Sequence, residues 1–296
     1  MPAVAFDYHA PASLSETLSL LAELGDDAKV LAGGQSLVPM LTMRLARPRA
    51  IVDIDGLADL RAVRRYDGGL EIGALVRHRS LERGDGLLAA CPLLAEAAAL
   101  IGNVRVRTMG TIGGSLAHAD PAAEWPAVVR ALDGVLVVRG AGGERTIPAS
   151  DFFTGILSTA LQPGELLAAV RLPLPVGRAG YAIEEFSRRA GDFAIIAAIA
   201  AVELDGAGRL ARARIAIAGG GPAPVRLDAV ERTLAGAEPS EETFRRALTG
   251  QPLEIDPDSD VHASAEYRRH LTGVLARRAL VRAAARAAAP KDARQG

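Results

Sequence analysis

Apolar residues recur at helical spacing over residues 14–24, directly after Ser13, which is placed to cap a helix. A short apolar run over 29–32 leads into Gly33-Gly34. Ser36 is then positioned to cap a second helix that reaches about Leu45, before Arg47-Pro48 ends it. Residues 50–54 and 70–75 read as strands, so the opening third is βαβ-like. Residues 92–101 form an Ala/Leu-rich helix. The stretch 102–120, rich in Gly, Thr, Ser and Arg, reads as a loop. Pro121 is expected to open a helix that runs to Leu132, because a first-turn proline gives up no hydrogen bond. Strands follow at 135–138 and 166–172.

Pro173-Leu174-Pro175 with Gly177 marks a domain boundary. Beyond it the period changes. Residues 181–188, 193–204 and 209–218 alternate as an antiparallel meander, with 205–208 as a hairpin turn. Residues 219–224 break the sheet, and two or three helices complete the chain. Strands followed by helices give a small α+β domain.

Composition narrows the function. The chain has 296 residues, 49% hydrophobic and 23% charged, which suits about two globular domains. The net charge of -1 gives no field that would gather a polyanion, so nucleic acid is not the expected partner. From Val261 onward eight Lys/Arg stand against two Asp/Glu, and this reads as a solvated Arg-rich helix face. The single cysteine, Cys91, excludes an internal disulfide and an iron–sulfur cluster held by this chain alone. The N-terminal residues lack a basic segment followed by a long apolar one, and the longest apolar run, 193–202, is half of the roughly 20 residues a membrane span needs. The expected location is the cytoplasm. No histidine pair has metal-ligand spacing, so no metal is expected, and no Ser/His/Asp arrangement points to nucleophilic catalysis.

Two glycine-rich segments carry the chemistry. The first is Ala32-Gly33-Gly34-Gln35-Ser36-Leu37, and the second runs from Gly110 and Thr111 through Gly113, Gly114 and Ser115 to His118, Asp120 and Pro121. A diphosphate needs main-chain N–H groups aimed at it with no Cβ in the way, and paired glycines ahead of a helix supply both. Neither segment has the spacing of a dinucleotide fingerprint or of a P-loop. The residues alone therefore lead to a phosphate-containing cofactor, most simply a dinucleotide gripped from two sides.

These two segments, together with Arg188-Arg189-Ala190-Gly191-Asp192-Phe193-Ala194 and the stretch 264–271 (SAEYRRHL), resemble the signatures of the flavin subunits of molybdenum hydroxylases, the carbon monoxide dehydrogenase and xanthine dehydrogenase type. The resemblance spans nearly the whole chain. It implies an α+β fold: a two-lobed FAD-binding domain of the vanillyl-alcohol-oxidase (PCMH) type over 1–176, with lobes of about 1–55 and 56–176. A carbon monoxide dehydrogenase flavoprotein-like C-terminal domain would follow over 177–288, then a tail over 289–296. It implies FAD as cofactor, and as partners a large molybdopterin subunit and a small [2Fe–2S] subunit in a heterotrimer or its dimer. Electrons would pass from the clusters through FAD to an external acceptor. A stand-alone flavin oxidase and a non-catalytic scaffold subunit are the alternatives.

Carried over position by position, the resemblance puts Ala32, Gly33, Gly34, Gln35, Ser36 and Leu37 around the diphosphate, with Gly110, Thr111, Gly114 and Ser115 opposite. Ile101 packs near the cofactor, Glu124 meets FAD hydroxyls, Leu167 is an apolar contact, and Asp120 is a further polar one. His118 either touches cofactor or steadies its loop. Arg105 and Arg107 either neutralise phosphate or are solvated. Trp125 reads as a core anchor. No acid–base residue is assigned, because the cofactor does the redox chemistry. The chain departs from the pattern twice. Gln35 stands where some members have His. Glu185 stands about where others have Lys, which removes a positive charge that would favour the reduced, anionic flavin.

Overall fold

The computed structural model describes residues 5–175 and 177–289, so nearly all of the expected tail lies outside the described residues. The chain opens with β1 (Asp7–His9), α1 (Leu14–Leu24), β2 (Ala28–Leu31), α2 (Leu37–Thr42) and β3 (Ala50–Asp53). The Ser13 hydroxyl accepts from the Glu16 amide, so α1 starts where its cap predicts. Both β1 and β2 pair with β3 in parallel, as the βαβ pattern requires.

The second region runs through β4 (Val63–Tyr66), β5 (Gly69–Gly73), α3 (His78–Arg83), α4 (Pro92–Leu100), α5 (Val104–Met109), α6 (Ile112–His118) and α7 (Glu124–Ala131). It continues with β6 (Val135–Gly140), β7 (Gly143–Pro148), α8 (Ala149–Phe152), the short pair β8 (Phe153–Gly155) and β9 (Ser158–Thr159), and β10 (Leu166–Pro173). Its sheet has the order β4-β5-β10-β6-β7, all antiparallel. The two edges, β4 and β7, escape the hydrophobic pattern because nearly all of their side chains are wet. Strand β10 joins the lobes. Leu166 and Ala168 pack into the core of the first lobe, while Leu167, Val170 and Leu172 face the larger core.

The stretch expected to be loop, 102–120, holds α5 and α6. Asn103 accepts from the amides of Arg105 and Val106, and Thr111 Oγ1 accepts from Gly114 N at 3.0 Å, so two caps hidden among turn-forming residues start two short helices. The helix expected from Pro121 begins only at Glu124. Asp120 Oδ1 takes the Ala122 amide at 2.9 Å and closes a turn over what would have been its first residues.

The last region is a meander, β11 (Arg178–Phe186), β12 (Ile196–Leu204) and β13 (Leu210–Ala218), with a short β14 (Val225–Arg226). The helices α9 (Asp228–Leu234), α10 (Glu241–Gly250) and α11 (Ala265–Ala288) follow. The strand expected from Phe193 starts at Ile196, because residues before it turn the hairpin and Phe193 is exposed. One face of this sheet lies on α4 and α7, and the other carries α11. The arginines of α11 are not simply solvated. Arg268 is buried against Ile195 O and Asp260, and Arg282 and Arg286 reach Glu184 and Glu96. Among the described residues, no helix is long and apolar enough to cross a membrane.

Candidate cofactor site

The two glycine segments, some 80 positions apart in the sequence, lie against one another. A Cβ on Gly33 would land on Met109 O and come 2.8 Å from Gly110 Cα, so only glycine allows this approach. A Cβ on Gly114 would stand 3.7 Å from Ala32 Cβ across the same seam and 2.8 Å from the Thr111 hydroxyl that caps α6. Gly34 has φ +71°, the left-handed region that favours glycine.

The segments differ in what they leave free. Val38 N bonds Gly34 O, but none of the backbone N–H groups from Gly33 through Leu37 donates to an acceptor among the described residues. Ser36 does not cap α2, so its hydroxyl is open as well. Gln35 is exposed, with its side chain bonded to Gly33 O at 3.1 Å. These residues form a half-buried run of open donors, which is the chemistry a diphosphate requires. The second segment is spoken for. Gly110 N, Ile112 N, Gly113 N and Ser115 N bond Val106 O, Val76 O, Ala74 O and Thr111 O. Gly113 and Gly114 sit inside α6 rather than ahead of it, and Gly113 lies against Ala74, whose Cα and O would both be 2.7 Å from an added Cβ. The second segment therefore works as a frame. It presents the half-buried Gly114 toward Ala32, with the half-buried Ser115 next along α6, while its amides hold α6 in place.

Of the residues that hold this frame, the sequence pattern marks only Trp125, as a core anchor. His78 N bonds Gly110 O at 3.0 Å, and the His78 ring fills the space a Cβ on Gly110 would need. The indole of Trp125 donates to His78 Nδ1 at 3.1 Å inside the core. Indole is only a donor, so Nδ1 is unprotonated and the ring proton is on Nε2. Burial, with the charges of Arg77 and Arg107 added, pushes the His78 pKa down to about 4. Arg77 ties Asp55 to Met109 O, and Arg107 bonds Glu82 and the carbonyls of Ile101 and Gly102. Arg107 is thus a strut rather than a phosphate ligand or a solvated charge. No local motif marks these residues, because each acts on a segment 5 to 47 positions away.

The remaining expected residues surround the seam unevenly. Glu124 opens α7 and is 4% exposed. Burial lifts its pKa to about 7, its own amide opposes this, and the charge of Asp120 adds to it. His118, the last residue of α6, and Asp120, in the α6–α7 connection, are half-buried, and Asp120 also closes the turn. Ile101 ends α4, half-buried. The hairpin tip between β11 and β12 reaches the next residue, Gly102, through Gly191 (φ +85°), where an added Cβ would be 2.8 Å from Gly102 O. Leu167 is brought less near: it is 4% exposed within the core, on the strand against which α6 packs. Glu185 lies on the inward face of β11, and burial, then the charge of Glu124, pushes its pKa up to about 8. Arg188 meets His262 at 2.9 Å.

Two family descriptions match the chain: the FAD binding domain in molybdopterin dehydrogenase over residues 4–175, and the CO dehydrogenase flavoprotein C-terminal domain over residues 181–283. The chain belongs to the flavoprotein family of the molybdopterin dehydrogenases. Across this family it is 42% identical to the 6-hydroxypseudooxynicotine dehydrogenase complex subunit alpha of Paenarthrobacter nicotinovorans, with 97% of each chain covered. It is 37% identical to the carbon monoxide dehydrogenase medium chain of Afipia carboxidovorans, covering 95% of this chain and 98% of that one. A solved carbon monoxide dehydrogenase from Hydrogenophaga pseudoflava superposes with a TM-score of 0.92 at 37% identity, over 97% of this chain and 99% of that one. FAD is the cofactor of the family, and the open amides of 33–37 beside the glycine seam suit its diphosphate.

Proposed function

We propose that this chain is the electron-relaying medium subunit of a heteromeric molybdenum hydroxylase. It would take electrons from [2Fe–2S] clusters of a small subunit, after a large molybdopterin subunit has oxidised the substrate, and pass them through FAD to an external acceptor. The supporting observation is the seam where the segment 33–37, with its five open amides, lies against the frame of 110–115. In this reading Ala32, Gly33, Gly34, Gln35, Ser36 and Leu37 bind the diphosphate. Gly110, Thr111, Gly114 and Ser115 close the opposite wall, and His118, Asp120 and Glu124 supply polar contacts. Ile101 and Leu167 supply apolar surface. When bound, FAD supplies the redox chemistry; the chain's own residues bind it, orient it and keep water from its buried side. Because Cys91 is the only cysteine and is buried, the clusters have to belong to a partner.

The test is purification of the full chain together with the products of the adjacent genes, followed by a visible spectrum. The expected result is a stable complex with flavin bands near about 370 and 450 nm over a broad cluster absorbance. A yellow chain that turns over substrate without partners, or a colourless chain inside a working complex, would overturn the proposal.

A further inference from the structure

Two buried carboxyls at the site have no cation to answer them. Glu124 opens α7, and the only hydrogen bond that offsets the burial of its carboxyl comes from its own amide. Glu185 comes from the other side of the boundary, on the face of β11 that it shares with Tyr181 and Ile183, and its Oε2 is buried without a hydrogen-bond partner. The groups facing this pair offer no neutralisation. Ala197 is the cross-strand neighbour on β12, and Asp120 in the α6–α7 connection adds a further negative charge. Glu96 of α4 is taken by Arg286 and Arg282, and Glu184, on the opposite face of β11, by Arg282. Among the ion pairs of the described residues, none includes Glu124 or Glu185.

Like charges brought together away from water are relieved by keeping a proton. A cofactor entering the seam strengthens that demand in two ways. On the FAD reading it would displace the remaining water from the carboxyls and add the charge of its diphosphate to theirs. A carboxylate can only accept hydrogen bonds, whereas a protonated carboxyl also donates one, so a half-protonated pair can satisfy both a hydroxyl and a carbonyl of a ligand.

We propose that Glu185 is a further cofactor-positioning residue: with Glu124 it forms a carboxyl pair that has to hold a proton for FAD to seat, so FAD capture takes up a proton. This rests on the FAD reading above. The overall step is the unprotonated pair plus FAD plus one proton giving the seated complex. No electron moves and no covalent bond changes other than the O–H formed.

The experiment titrates FAD into the full chain stripped of flavin, by calorimetry in phosphate and in Tris, whose ionisation heats differ, at pH 8 and pH 9. About half a proton per FAD is expected to be taken up at pH 8, where the free pair is already partly protonated, rising toward one at pH 9, with affinity falling about fivefold across that pH unit. In Glu185→Gln the uptake should fall below about one third of a proton and the affinity change to about twofold or less. Tight FAD binding without proton uptake in the wild-type chain overturns the proposal and leaves the FAD reading standing; absence of FAD binding at every pH overturns both. Undiminished uptake in a folded Glu185→Gln variant also overturns it, because the proton then belongs elsewhere. If that variant does not fold, the wild-type uptake decides alone.

Discussion

The two glycine segments look alike in the sequence and do opposite work. In 33–37 five amides and the Ser36 hydroxyl have no partner among the described residues, and glycine at 34 provides the left-handed turn that exposes them. In 110–115 nearly every amide is satisfied internally, and glycine at 110 and 113 is needed because His78 and Ala74 press against the backbone. One segment is an open set of donors and the other is a wall. A Gly-Gly pair therefore says that something comes close; whether that is a ligand or another piece of chain depends on which amides remain unused.

Several substitutions would break or sharpen this contrast. The largest effect is expected for Gly33→Ala, which forces a methyl onto Met109 O and drives wall and donors apart. FAD affinity should fall about a hundredfold, equivalent to about 2.7 kcal/mol; wild-type affinity, measured by flavin fluorescence quenching, would mean the seam is not needed. Acid should loosen the wall next. His78 is depressed to about 4 in the fold, from an ordinary 6.5, so the unfolded chain binds more protons between these values and stability falls as pH drops from about 6.5 to 4. The loss attributable to this ring is about 3 kcal/mol. Urea midpoints measured across that range should show it, and a His78→Gln variant should show a flatter slope. Thr111→Ala removes the α6 cap and should cost about 1 kcal/mol of stability. Ser36→Ala should leave stability within about 0.5 kcal/mol, since the hydroxyl caps nothing, and weaken FAD about fivefold to tenfold, the worth of one hydrogen bond. Equal stability losses in the last two variants would erase the distinction between the segments.

Sequence patterns reach those parts of the molecule whose causes are local. The cap at Ser13, the βαβ opening, the meander after Pro175 and the two glycine motifs all declare themselves within a dozen residues. The edge strands β4 and β7 do not, because a strand wet along most of its length carries no alternation. The helices of 102–120 were obscured by the residues that start them: Asn103 and Thr111 are turn formers and cap formers alike, and only the packing of the residues downstream decides between the two. The His78–Trp125 bond spans 47 positions and joins residues that share no motif. Glu185 is an ordinary strand residue until the fold sets it beside Glu124.

The large core ignores the boundary at Pro173-Leu174-Pro175. Tyr181, Ile183, Ala197, Ile199 and Ala216 from the C-terminal sheet belong to the same apolar cluster as Leu94, Trp125 and Val128, and Gly219 N bonds Pro121 O beside Asp120. The two halves are thus not interchangeable modules. A gene truncated after residue 175 would yield a fragment with a raw hydrophobic flank beside its glycine seam, prone to clump, and swapping in a relative's C-terminal half would succeed only if the graft repacked that flank.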